Sequence, residues 1–295
     1  MKKIQNQTSN ENERWENYRL ANSRFPKVRE AQIERQLFYT DPKQGEIIVE
    51  LGTGNGILTF ELAKKVATLS DIEGTNMLFG TVSINSKGLA PLGQVITYDY
   101  ETNNLIHVAK NKGSLPILLV HRTAEDSLGL PEGVVDKVST LDSLHHYDDR
   151  SKKTGTSGRQ RVINEVYRGL KKGGLLVIGD IADNTSNQRY FDNEMDNPGS
   201  PAYCQPRGHP HDFLDEKLAR KLCEKAGFKN IEFRVKQIPL MFENEEQAKT
   251  FWHTVHNAKC SPDESLDAVK RHLPNWNKDG KFYVGWDTLY LTARK

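Results

Sequence analysis

The sequence predicts an α/β fold: a mostly parallel sheet with helices on both faces. Two observations carry this. Short, continuous apolar runs alternate with amphipathic helical stretches, the pattern of strands buried on both faces and joined by crossover helices. The first such run, "EIIVEL" at 46–51, passes through Gly52, Gly54 and Gly56 into "ILTFELAKKVATL" (57–69). There Leu58, Leu62 and Val66 recur at i, i+4 and i+8, which makes one helix face.

Taken in chain order, residues 1–12 are rich in Asn, Gln and Ser, and fraying is expected there. Residues 13–38 read as helical with a break near Pro26, so residues 1–44 are expected to form a helical cap or lid and 45–295 the main domain. After the first strand and helix, further strands are expected at 94–100, 116–122, 135–142 and 174–180. A helix over 159–171 places Val162, Val166 and Leu170 together and is expected to stop at Gly173-Gly174. A second, over 213–226, ends at Gly227 and leads into the alternating strand "NIEFRV", and "WDTLYLTA" closes the chain as another strand. Three segments break the alternation: 69–93, 181–212 and 238–281. The last is expected to hold two helices, the first started by the acidic run "ENEEQ" and the second by a capping box, "SPDE", at 261–264. Insertions at such positions are where substrate specificity is commonly built.

Composition narrows the partners. With 41 basic and 39 acidic side chains and a net charge of +2, there is no field that implies nucleic acid or a membrane surface. "MKKIQNQTSNENERW" has no apolar run behind its lysines, so no signal peptide is expected. Nothing approaches the ~20 apolar residues of a membrane helix. Cys204, Cys223 and Cys260 lie far apart, which suits a reducing compartment, and the cytoplasm is the expected location.

The chemistry concentrates at 50–56. Glycines between a parallel strand and a helix let a ligand approach the backbone, and the helix N-terminus adds free N–H groups. The dinucleotide fingerprint G-x-G-x-x-G/A requires Gly or Ala at position 57, which is Ile57. The pattern is instead E-x-G-x-G-x-G, and the carboxylate of Glu50 favours a cationic guest over a pyrophosphate. His145 and His146 end the fourth strand, the side of a parallel sheet that faces a ligand crevice, and a neutral imidazole there can accept a proton from a hydroxyl. His253, His256 and Cys260 are spaced to share a helix face, but with no fourth ligand apparent no metal is expected.

"VELGTGNG" resembles the first motif of the class I S-adenosylmethionine-dependent methyltransferases. The resemblance implies that Gly52, Thr53, Gly54 and Gly56 pass under the methionine part of that cofactor and that Glu50 contacts its amino group. "VITYDYETNNLIHVAK" resembles the family's second landmark, implying that Asp99, with Tyr100 beside it, takes the ribose hydroxyls, Glu101 being the fallback. "HRTAEDSLGLP" resembles the adenine-reading segment, with Thr123 where Asp is usual, Ala124 matching, and Glu125 or Asp126 as substitutes. "LDSLHHYDDR" (141–150), in which the resemblance implies Asp142 as a further cofactor-binding residue, and "INEVYRGLKKGGLLVIGD" resemble the segments that follow, with Lys172 in place of a proline. These landmarks run in the family's order over roughly 45–235.

The resemblance implies a seven-stranded, Rossmann-like sheet whose last strand is antiparallel, S-adenosylmethionine as cofactor, and methyl transfer to a small-molecule acceptor. It suggests His145 or His146 as a general base for O-methylation, supported by Asp180, and substrate contacts from Tyr190, Tyr203, His209 and His211. N- or C-methylation is the alternative, and so is a protein that binds the cofactor without methylating or uses it for other chemistry. An NAD-dependent oxidoreductase is disfavoured by Ile57. A homodimer is compatible with these expectations.

Overall fold

The computed structural model describes residues 2–68, 84–85, 88–89, 93–147, 157–204 and 213–295. Helix α1 spans Lys2–Arg24, so residues 2–12 are helical where fraying was expected. Pro26 opens a single 3-10 turn, Pro26–Arg29, and α2 follows over Glu30–Thr40. The break lies where the proline, which lacks an N–H, cannot continue the helix.

Strand β1 (Ile47–Leu51) leads through the glycine loop into α3 (Ile57–Val66). Within the expected insertion at 69–93, a short antiparallel ladder pairs Ile84–Asn85 with Gly88–Leu89; the other residues of that segment, apart from Gly93, lie outside the described residues. Then come β2 (Gln94–Asp99), α4 (Thr102–Asn111), β3 (Ile117–His121) and β4 (Val135–Leu141). Helix α5 (Gly158–Gly169) runs directly into β5 (Leu170–Ile181). The Gly173-Gly174 pair therefore sits inside a strand and does not stop the helix: Gly173 takes φ +79° within β5. Helix α6 (Ser186–Tyr190) continues as a π turn, Phe191–Met195. Helix α7 (Glu216–Ala226) starts three residues later than expected and precedes β6 (Lys229–Phe242), a strand that extends well beyond "NIEFRV" into the expected insertion. Helices α8 (Glu245–Val255) and α9 (Pro262–His272) follow, capped by Asn244 and by the Ser261/Glu264 capping box. The chain ends with β7 (Asn275–Lys278) and β8 (Lys281–Arg294).

The eight strands form one sheet in the order β3-β2-β1-β4-β5-β8-β6, with β7 paired on β8. The eighth strand beyond the seven expected is β7, which pairs antiparallel with β8 as a hairpin. Strands β1 to β5 pair with one another in parallel. Lys295, just past β8, exchanges backbone hydrogen bonds with Gly173 and Gly174 near the start of β5, so the last strand runs antiparallel to it. Ile48, Val49, Val95, Val138, Leu176 and Val177 are fully buried, as a sheet covered on both faces requires. The order reverses between β1 and β4. In such sheets ligands bind outside the carboxyl ends of the strands at that switch point.

The chain folds as two compact units, each with segments from several parts of the sequence. One comprises Arg35–Asp180, Glu216–Arg234 and Tyr290–Lys295 and contains β1 to β4 and most of β5. The other comprises Met1–Glu34, Ile181–Asp215 and Val235–Leu289, and its core is strongly aromatic: Tyr190, Phe191, Phe213, Phe242, Phe251, Trp252 and Trp286 are all buried. Phe251 meets Trp252 edge to face at 5.6 Å and 87°, an arrangement that adds roughly 0.5–1.5 kcal/mol for the pair beyond the burial of the rings.

Candidate functional site

The glycine loop is pinned to the end of β2: the amides of Gly52 and Thr53 both donate to the Tyr98 carbonyl, at 2.9 and 3.1 Å. Gly52, Gly54 and Gly56 all take positive φ, at +85°, +52° and +81°. The structure gives two of them a tenant within the protein. A Cβ on Gly52 would lie 2.4 Å from Ser143 Oγ, and one on Gly56 would lie 2.6 Å from a Val108 methyl of α4. These glycines thus let the loop close against the segment after β4 and against α4, a constraint the sequence motif alone does not show.

Glu50 lies at the end of β1 and is almost completely withdrawn from water, at 2% exposure. Its Oε2 accepts from Thr59 Oγ1 of α3 at 2.5 Å and from Thr97 Oγ1 of β2 at 2.9 Å. Thr97 Oγ1 in turn lies 2.6 Å from Thr53 Oγ1 in the loop. Burial pushes the Glu50 carboxyl up to about 8; the two hydroxyls oppose that, and the charge of Asp99 adds to it.

Asp99 ends β2 and bridges two elements. One carboxylate oxygen accepts from the Gly54 amide at 2.9 Å and from Asn104 Nδ2 at 3.0 Å, the other from the Glu101 amide at 2.8 Å. Burial raises its carboxyl above the ordinary range despite these donors. Tyr100 next to it is about half exposed. After β3, Ala124 and Glu125 are buried. Glu125 lies 3.7 Å from Arg161 of α5, and a Cβ on Gly158 at the start of that helix would meet its Oε1 at 1.8 Å. Thr123 accepts from the Glu125 amide through its hydroxyl at 3.4 Å, and Asp126 is exposed.

At the ends of β4 and β5 the structure brings Asp180 together with His145, one of the two histidines expected as a base. Asp142 takes φ +50° and donates its amide to Gly179 O at 2.9 Å, which turns the chain. A single 3-10 turn, Leu144–His146, then delivers His145 to Asp180. His145 Nδ1 lies 2.5 Å from Asp180 Oδ1, and the His145 amide donates to Oδ2 at 3.2 Å. Both residues are at least nine-tenths buried. His146 stands beside the His145 ring, centroids 3.9 Å apart.

The residues expected to touch substrate fare differently. Tyr190 is in the aromatic core at 1% exposure, its hydroxyl 3.1 Å from His256 Nδ1, so the structure places it as a packing residue. Tyr203 is half-buried. His209 and His211 lie outside the described residues. The helix carrying His253 ends at Val255, so His256 and Cys260 do not share its face. Among the described residues there is no group of three or more His, Cys, Asp or Glu arranged to hold a metal.

Sequence reading missed Thr59, Thr97, Asn104 and Ser143. Thr97 did carry a signal: a hydroxyl in the middle of an otherwise apolar strand, which parallel pairing sets beside Glu50.

A family described as "Methyltransferase domain" matches residues 20–233. No curated protein matches by sequence. Among solved structures, a candidate methyltransferase of Bacillus halodurans is similar with a TM-score of 0.53 and 17% identity, over 89% of this chain and 98% of that one. A phosphoethanolamine N-methyltransferase of Haemonchus contortus, solved with phosphomonomethylethanolamine and S-adenosylhomocysteine, is similar at 0.51 and 16%, over 90% and 52%. The [4+2]-cyclase SpnF is similar at 0.51 and 14%, over 90% and 79%. At these identities the likeness is one of fold.

Proposed function

This chain belongs to the S-adenosylmethionine-dependent methyltransferases, and from that premise we propose that it methylates a hydroxyl of a small molecule, with His145 as general base. The observation that carries this reading is the His145–Asp180 pair, with Nδ1 to Oδ1 at 2.5 Å, at the carboxyl ends of β4 and β5.

The residues around the glycine loop fit the cofactor. A buried carboxylate held, among the described residues, by the Thr59 and Thr97 hydroxyls, Glu50, suits an ammonium; Asp99, anchored by Gly54, Glu101 and Asn104, suits a diol. When bound, S-adenosylmethionine supplies an already activated methyl group, so the protein's share is alignment and proton handling.

A carboxylate only accepts hydrogen bonds, so opposite Asp180 the His145 ring carries its hydrogen on Nδ1 and offers the Nε2 lone pair. Nε2 is then the atom that takes the acceptor's proton, and Asp180 fixes the ring and steadies the imidazolium that results. A second carboxylate contact, to the His145 amide, holds the backbone of the same residue. The balanced charge of +2 supports a small acceptor over a nucleic acid.

The test is methyl transfer from radiolabelled S-adenosylmethionine to panels of phenols, alcohols, amines and activated carbon acids, by wild type and His145→Gln. Hydroxyl acceptors used by wild type and lost in the variant, with S-adenosylhomocysteine binding kept, support the reading. Transfer to amines or carbon acids that survives His145→Gln replaces it with N- or C-methylation. Cofactor binding with no S-adenosylhomocysteine formed on any panel points to a non-methylating protein.

A further inference from the structure

Glu50, Thr97 and Ser139 are register partners on the adjacent parallel strands β1, β2 and β4, so their side chains leave the sheet on one face. Helix α3 brings Thr59 down onto the carboxylate of Glu50, the middle member of this row. The direction of each hydroxyl follows from counting hydrogens. Thr97 has one, and it goes to Glu50 Oε2. In its 2.6 Å contact with Thr53, Thr97 therefore accepts and Thr53 donates. All three hydroxyls point their hydrogens along a path that ends on the carboxylate, directly from Thr59 and Thr97 and through Thr97 from Thr53. That is a solvation shell for an anion in a place from which water is excluded.

We propose that Thr97, with Thr59, is a positioning residue of the cofactor site: it keeps the Glu50 carboxylate ionisable inside the fold and ties its charge to the glycine loop through Thr53. The grip on the ligand's ammonium then depends on pH. The proposal rests on Glu50 as the ammonium's partner. Thr97 does not touch the ligand; it acts through Glu50 and through Thr53.

The groups that face Glu50 are few. Among the described residues Asp99 on β2 is the charged one and opposes ionisation, as burial does; Thr59 on α3 and Thr97 on β2 favour it. Ser139 on β4 is uncharged and is held by Gln36 Nε2 at 2.8 Å and Thr40 Oγ1 at 3.2 Å, both of α2. Burial outweighs the two hydroxyls and pushes the Glu50 carboxyl up to about 8. Below it the carboxyl is protonated and the ammonium has no counter-charge; above it the pair forms. Removing a donor moves the transition upward.

The experiment is calorimetric titration with two probes at pH 6.5, 7.5 and 8.5. S-Adenosylhomocysteine carries the ammonium, and 5′-methylthioadenosine carries the nucleoside without it. Wild type is expected to bind the first more tightly as pH rises and the second independently of pH. Thr97→Val is expected to weaken S-adenosylhomocysteine about tenfold at pH 7.5, the equivalent of a one-unit displacement, and to shift its rise to higher pH. 5′-Methylthioadenosine should be unaffected, and Thr97→Ser should behave as wild type. Should Thr97→Val fail to fold, Thr59→Ala removes the other donor and is expected to shift the profile in the same direction. Equal weakening of both probes, or an unmoved pH profile, overturns the proposal and leaves the cofactor assignment standing. Binding of neither probe by wild type overturns the assignment of the site and the proposal with it.

Discussion

Glu50 and Glu194 are both nearly withdrawn from water, at 2% and 5% exposure, yet their carboxyls are driven in opposite directions. Each belongs to a different compact unit. Glu194, on the π turn after α6, is met by Arg271 through Nε at 3.0 Å and Nη2 at 2.8 Å, by His272 Nε2 at 3.0 Å and by the Ser200 hydroxyl. Burial pushes it up, but these partners outweigh burial and hold it below the ordinary range. Among the described residues Glu50 has the hydroxyls of Thr59 and Thr97 as donors, and burial wins, raising it to about 8. The difference separates two uses of a buried acid. Glu194 is met by the Arg271 guanidinium within its own unit; Glu50, solvated by hydroxyls, would meet its cation in the ligand under the proposed function.

Asp180 is a third case, an acid whose partner is the titratable His145, and it sets the largest effect expected. His145→Ala should lower kcat for a hydroxyl acceptor by about 10²–10⁴, the usual share of a general base. S-Adenosylhomocysteine affinity should be unchanged, as calorimetry would show.

Glu50→Gln comes next and sharpens the contrast directly. The folded-state carboxyl lies at about 8, raised from 4.5, so its contribution to stability is fully present below about 4.5 and is lost as pH rises through about 8. At pH 8.5 the variant, with no charge to bury, is expected to melt several degrees above wild type. Near pH 4.5 the two should converge. The same variant should bind S-adenosylhomocysteine more weakly. A lower melting temperature at pH 8.5 would show that Glu50 is stabilised by groups other than the two hydroxyls.

Arg271→Met tests the other acid. It leaves Glu194 buried with the guanidinium gone and with His272 and Ser200 as remaining partners, which should cost about 1–3 kcal/mol of stability. Calorimetric binding of S-adenosylhomocysteine should not change, because Glu194 belongs to the scaffold. The smallest effect is expected from Ser261→Ala, which removes one side of the α9 capping box and should cost about 1 kcal/mol by denaturant titration, again without touching cofactor affinity.

Much of this site could be read in advance, for a physical reason. Glu50, the glycines, Asp99 and Asp180 lie at or directly after the ends of strands, with His145 on the 3-10 turn that follows β4, and a strand's end is visible in the sequence as the point where an apolar run meets a polar residue or glycine. What could not be read depends on register and on packing across elements. Thr97 and Thr59 matter because pairing aligns β2 with β1 and because α3 folds back over Glu50. Gly52 and Gly56 owe their lack of a side chain to Ser143 and Val108, which are 91 and 52 positions away in sequence. Local composition also misled in two places. Gly173-Gly174 reads as a helix stop, but Leu170 already pairs with Val135, so sheet pairing overrides the glycines' preference. The polar start of the chain reads as frayed, although it is helical from Lys2.

The central claim is that the crevice beside Glu50, Asp99 and the glycine loop holds the cofactor. Its most direct test is calorimetric titration of wild type and Asp99→Ala at pH 8 with S-adenosylmethionine, S-adenosylhomocysteine and NAD. The account predicts micromolar binding of the first two, weakened at least tenfold, roughly 1.4 kcal/mol, by the substitution, with NAD not bound. Affinities for S-adenosylmethionine and S-adenosylhomocysteine that are identical in wild type and Asp99→Ala, or binding of NAD alone, would contradict it.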